Sequence, residues 1–155
     1  MAKTGDNSKK ALIAALNGAL ADHLALYVKT KNFHWHVKGP RFRDLHLLFD
    51  EQAQQILSVT DAIAERVRKN DADTLTSIGA IAKTTQIADE DSTTLEADRM
   101  VEQLRDDNAK LVARLKEVKD ASEEAGDNAT SGIVDEWTDQ AEERAWFLFE
   151  ASRKG

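Results

Sequence analysis

The 155-residue chain has no cysteine, a single proline and only seven glycines, and each scarcity removes options. Without cysteine there are no disulfides, thiolate metal sites or cysteine nucleophiles, so any metal must be held by histidine and carboxylate. Few helix breakers, with 41% apolar and 32% charged residues, suit a soluble, helix-rich protein rather than a disordered or fibrous one. The uncharged apolar runs are too short to cross a bilayer, and the N-terminus MAKTGDNSKK lacks the apolar core of a secretory signal, so a cytoplasmic location is expected. Basic excess is missing too. With 21 Lys and Arg against 28 Asp and Glu, the net charge of −7 argues against general attraction to nucleic acid and leaves that role to local basic tails.

What is present is a helical period, in a length that suits one domain. Residues 1–10 read as a polar N-terminal tail, 11–151 as a bundle and 152–155 as a short C-terminal tail. From Ala11, the residues Leu12, Leu16, Leu20, Leu24, Tyr27 and Val28 recur at three- and four-residue steps. Gly39-Pro40 should end that helix. Leu45, Leu48, Phe49, Ala53, Ile56, Leu57, Ile63, Ala64 and Val67 continue the period in a second helix to about Arg68, with no internal glycine or proline. Residues 71–92 form a long polar connection whose one apolar segment, LTSIGAIA, predicts a short extra helix. Thr93 and Glu96 have capping-box spacing ahead of a third helix marked by Leu95, Met100, Val101, Leu104, Leu111, Val112, Leu115 and Val118. ASEEAGDNATSG then breaks it, and Ile133, Val134, Trp137, Ala141, Ala145, Trp146, Leu148 and Phe149 define a fourth. Four long amphipathic helices with one long connection imply an all-α, ferritin-like four-helix bundle of the crossover type.

Several charges fall in an unusual pattern. At 100° per residue, His46, Asp50, Asp61 and Glu65 project at roughly 0°, 40°, 60° and 100° around the second helix, forming one stripe. His46 with Asp50, and Asp61 with Glu65, each have the i,i+4 spacing of two side chains that share an ion or merely a solvent shell. The pair centres are separated by about 22 Å of helix, too far for one metal. Yet both pairs are symmetric about the point between Gln55 and Ile56. Two antiparallel copies crossing there would bring His46 and Asp50 of one to Glu65 and Asp61 of the other, giving two identical sites per dimer. His34, near the end of the first helix, could add a second nitrogen. His36 projects about 200° away from it and cannot share that site. Two imidazoles and three carboxylates suit Fe(II), Mn(II) or Zn(II), and with iron they can support redox work.

The segments NFHWHVKGP, LHLLFDE and TDAIAERV resemble the Dps proteins, ferritin-like mini-ferritins named as DNA-binding proteins from starved cells. The likeness runs from about residue 10 to 151 and includes ATSGIVDEWTDQAEERAWFLFE. It implies a hollow, symmetric shell of twelve subunits in which Fe(II) is oxidised, preferentially by hydrogen peroxide, and stored as ferric mineral, protecting DNA from oxidative damage. The resemblance assigns His34, His46 and Asp50 to one subunit and Asp61 and Glu65 to its two-fold mate, with Trp35 beside the site handling oxidising equivalents. A tryptophan on an amphipathic helix also packs. Two positions depart from the family pattern. His36 stands where asparagine is common, and Gly132 stands where the family has an aspartate lining the iron-entry pore; Asp135, Glu136 or Asp139 could replace it, but an acidic first turn is also what a helix dipole favours, and the pore stays unassigned.

A rival reading is a DNA-compacting bundle acting through Lys3, Lys9, Lys10, Arg153 and Lys154, weak singly but additive over a shell and steeply salt-dependent. A carboxylate enzyme working within one bundle would show Glu-x-x-His pairs on two helices of one chain, and none is present. His23, on nearly the same face as His34, reads as structural or as an interface residue. Trp137 and Trp146 read as core or subunit contacts.

Overall fold

The helix begins before the apolar period does: the first helix, α1, runs Thr4–His36. The protein is seen here in a computed structural model that describes the backbone of residues 4–155 and the side chains from residue 7. Residues 4–10, expected as a tail, therefore continue the helix, while positions 1–3, including Lys3, lie outside the described residues. Helix α1 ends where its sequence requires. Gly39 sits at φ +107°, which glycine alone adopts freely, and its carbonyl accepts from the Phe42 amide at 3.0 Å as the chain reverses. By length and apolarity α1 could cross a membrane, with a window of mean hydropathy 1.5, more than its uncharged runs suggested. Half of that window is buried inside the bundle, because α1 packs against four other helices and is apolar on more than one side.

The second long helix is bent. Its segments α2 (Phe42–Ser58) and α3 (Thr60–Lys69) meet at Val59, with φ −99° and ψ −8°. Hydroxyls on both sides compete for the helical carbonyls: Ser58 Oγ donates to the Gln55 carbonyl and Thr60 Oγ1 to the Leu57 carbonyl, both at 2.7 Å. The ladder resumes when the Ile63 amide donates to the Val59 carbonyl at 3.1 Å. Past α3 the chain turns with Asp71 at φ 59°, a left-handed helix end, its amide donating to Arg68 and that of Ala72 to Val67.

The connection to the next long helix climbs back along α1, pinned at each step. Thr74 Oγ1 donates to Asn17 (2.7 Å); the Gln86 amide and side chain donate to Asp22 (both 2.9 Å); Lys29 Nζ donates to the Ala88 carbonyl (2.8 Å) and Asn32 to that of Glu90 (2.9 Å). The expected short helix lies within it as α4, Ile78–Thr84, capped by Ser77 Oγ accepting from the Ala80 amide at 3.1 Å. Helix α5 spans Ala97–Glu124, and its N-cap is Glu96, without a side-chain bond. The Thr93–Glu96 box does not form; the Thr93 carbonyl instead accepts from Lys38 Nζ at 2.9 Å.

Only residues 125–127 separate α5 from α6 (Asn128–Ser152), far fewer than the polar run suggested. Gly126 takes φ +71° and Asp127 immediately caps the new helix, accepting from the Thr130 amide at 3.0 Å. The core between the helices is built from Leu16, Leu26, Phe33, Phe49, Ile56, Ile63, Leu104, Leu111, Leu115 and Leu148, all fully buried. Truncating one of these leucines to alanine would cost about 2–5 kcal/mol. Three of the long helices are also tied by a polar centre. The buried Arg144 guanidinium of α6 donates to Asn108 of α5 and Gln55 of α2, both at 2.8 Å.

Candidate metal centre

The α1–α2 turn brings His34 and His46 face to face, their rings stacked at 3.9 Å with 13° between planes. Each ring reaches across to the other's backbone. His34 Nδ1–H donates to the His46 carbonyl at 2.6 Å, and His46 Nδ1–H to the His34 carbonyl at 2.7 Å. A carbonyl only accepts, so the proton is fixed on Nδ1 in both rings and each Nε2 presents a lone pair, the form a metal-binding imidazole needs. Phe42 backs His46 at 4.9 Å.

His34 Nε2 lies 3.9 Å from Asp50 Oδ1, so His34 touches both the His46 ring and the Asp50 carboxylate. Asp50 is further held by Lys31 Nζ, 2.8 Å from Oδ1, and by Gln54 Nε2, 3.0 Å from Oδ2. The Lys31 hydrogen bond is the main reason the Asp50 carboxyl sits below its ordinary pKa; partial desolvation opposes it, and the Lys31 charge and the Gln54 hydrogen bond add to it. Lys31 also stands 5.8 Å over the Trp35 ring. Sequence reasoning missed Lys31, although its place one helical turn before His34 was a usable signal. Trp35 itself is 62% exposed, so most of its ring surface lies outside the packing of this chain.

Asp61 and Glu65 sit on α3, exposed, and neither makes a hydrogen bond or ion pair among the described residues. Asp61 borders a groove with Leu20, Leu24, Ala64, Ile78 and Ile81, and Ile78 on α4 is 86% exposed. Among the described residues, no three histidine, aspartate or glutamate side chains gather closely enough to hold a metal within one chain.

The remaining candidates separate clearly. His36 points elsewhere, its Nδ1–H donating to the Asn32 carbonyl at 2.9 Å and side-chain oxygen at 2.7 Å, in a cleft with Trp35 and the loop Asp89, Glu90, Asp91. His23 is not an interface residue: it is fully buried, its Nδ1 donating to the Ala19 carbonyl at 2.7 Å. Burial lowers its pKa to about 4. Trp137 is buried in the core, whereas Trp146 is exposed. Gly132 lies within α6, and nearby Asp135 is engaged by Lys119 Nζ at 3.0 Å.

Long helices in crossover order, a helical insert in the long connection and histidine–carboxylate groups on the paired helices define a ferritin-like protein, and residues 13–154 match the ferritin-like domain family. The DNA protection during starvation protein of Brevibacillus brevis is 33% identical over 133 residues, covering 86% of this chain and 89% of that one. Its counterpart in Agrobacterium fabrum is 30% identical over 142 residues, covering 92% and 88%. In three dimensions the chain superposes on Dps from Thermosynechococcus elongatus with a TM-score of 0.94 at 25% identity, over 99% of this chain and 97% of that one. A Dps protein from Bacillus brevis gives 0.90 at 29% identity, over 99% and 100%. The chain belongs to the Dps family.

Proposed function

We propose that this chain is a mini-ferritin that oxidises Fe(II) with hydrogen peroxide at sites shared between two-fold-related subunits and stores the ferric product inside a twelve-subunit shell, protecting DNA in the cytoplasm. The observation that carries this reading is the asymmetry of the two half-sites. His34 and His46 are locked in the metal-binding tautomer beside Asp50, while Asp61 and Glu65 stand unpaired at the mirror position of the same rod. An antiparallel partner crossing near Gln55 and Ile56 brings the halves together.

In that arrangement iron is the substrate. Each of two Fe(II) ions loses one electron, the O–O bond of peroxide breaks, and two protons complete two waters, so no hydroxyl radical is released. The chain's residues hold the ions, with the neutral imidazoles supplying nitrogen lone pairs and the carboxylates offsetting the charge gained on oxidation. Trp35, exposed beside Lys31, is placed to give up an electron when a second iron is lacking.

The test follows Fe(II) oxidation by peroxide in wild type, His46→Ala and Asp61→Ala shells. Wild type should outpace buffer, each variant should fall at least about tenfold, and mixing the two after subunit exchange should restore part of the rate. A wild-type rate equal to buffer overturns the ferroxidase reading, and no recovery after confirmed exchange overturns the shared site. Weak, salt-sensitive DNA binding through the exposed Lys9, Lys10, Arg153 and Lys154 is the alternative function, and a gel-shift series across salt decides it.

A further inference from the structure

The joint at Val59 raises a mechanical problem. A ten-residue helix is marginal on its own, and the interrupted ladder between Ser58 and Thr60 weakens the torsional link from α2 to α3. Ile63 and Val67 bury one side of α3, but apolar contacts alone are non-directional and tolerate rotation about the helix axis. The directional contact is on Arg66. Its Nη2 donates to both carboxylate oxygens of Asp127 at 3.0 Å, and its Nε donates to Thr130 Oγ1 at 2.8 Å. Asn70, one turn later, donates to the same carboxylate at 3.0 Å. Thr130 closes the network by donating from its amide (3.0 Å) and hydroxyl (2.5 Å) to Asp127, so the first turn of α6 and the whole of α3 share one anchor. The ion pair is well shielded, with side chains only 13% and 11% exposed.

We propose that Arg66 and Asp127 are the positioning residues of the metal centre: they fix the rotation of α3 and so aim Asp61 and Glu65 at the partner subunit. This rests on the function proposed above. Arg66 follows Glu65 directly, and its anchored side chain leaves roughly 100° around the helix from the Glu65 carboxylate. A 20° rotation of α3 would carry that carboxylate roughly 2 Å, several times the tolerance of a metal or catalytic constellation.

Asp127→Asn isolates this role, because asparagine caps a helix as well as aspartate does but no longer offers Arg66 an anion. In intact shells it should raise the KM for Fe(II) about tenfold and weaken binding of Co2+, read from its visible absorption, to the same degree. Shell size should match wild type, and the lost ion pair should lower the melting temperature without dissociating the shell at the assay temperature. Arg66→Met should behave alike, and the double variant should lose no more than either single one. If Asp127→Asn shells keep the wild-type KM and Co2+ spectrum, or if any loss only follows loss of assembly, the positioning role is overturned while the ferroxidase reading stands. If wild type itself neither oxidises Fe(II) faster than buffer nor shows a Co2+ spectrum that His46→Ala abolishes, both fall together.

Discussion

The two ends of the α2–α3 rod carry similar ligand types in opposite states. At the α2 end, His46 and Asp50 are half-buried and engaged: the imidazole is clamped to His34, and the carboxylate is held by Lys31 and Gln54. At the α3 end, Asp61 and Glu65 stand in solvent with no partner among the described residues. The difference follows from the ligands' chemistry. An imidazole binds metal only through an unprotonated nitrogen, so its tautomer has to be set within the chain. A carboxylate is ionised at neutral pH and needs only to be aimed, which is the task assigned to Arg66 and Asp127. Under the proposed function, one half of the site is thus prepared chemically and the other mechanically.

Removing each half in turn gives the largest expected effect. His34→Ala with His46→Ala, and Asp61→Ala with Glu65→Ala, should each slow peroxide-driven Fe(II) oxidation by about 100-fold in stopped-flow absorbance. Only the histidine pair should also destabilise the fold, by about 1–3 kcal/mol, since two hydrogen bonds that join α1 to α2 are lost. Denaturant unfolding that found both pairs equally destabilised would erase the distinction between the ends.

A smaller effect separates the clamped histidines from the buried one. His23 has its pKa lowered to about 4 by burial, from 6.5, so between those values the unfolded chain binds the extra proton. Stability should be complete above about pH 6.5 and fall by up to about 3 kcal/mol as pH drops toward 4. Asp127, whose carboxyl is also held low in the fold, loses stability in the same direction at still lower pH. The His23→Gln variant should therefore show a smaller drop in melting temperature between pH 7 and 4.5 than wild type, and equal drops would count against His23 as the titrating group. The smallest effect belongs to Arg68, on the same helix as Arg66 but in an exposed pair with Asp73. Arg68→Ala should shift the melting temperature by less than about 1 °C, since such surface pairs contribute little.

Local periodicity made the long helices, the Gly39-Pro40 stop and the short α4 legible, because each depends on residues within a turn or two of one another. The stripe of His46, Asp50, Asp61 and Glu65 was legible for the same reason. The bend at Val59 was not, since serine and threonine are tolerated in helix interiors and reveal a bend only when their hydroxyls take backbone carbonyls. The early start of α6 could have been read from Asp127 and Thr130 at cap spacing, had the polar run around them not resembled a loop. Residues 4–10 were misjudged because a polar composition does not exclude helix, and the backbone continues α1 through them.

By itself the sequence determined which residue types could hold a metal, and that no single copy could gather them, since the centres of the two pairs lie fifteen residues apart along the helix. Only the tertiary structure decided how each half is held. The His34–His46 clamp depends on a chain reversal that sets two carbonyls opposite two rings. The Arg66–Asp127 anchor joins residues 61 positions apart, and Asp22, Lys29 and Arg144 are buried against partners between 36 and 92 positions away. Directional hydrogen bonds require partners fixed to within a few tenths of an ångström, and packing alone can fix groups so distant in the chain.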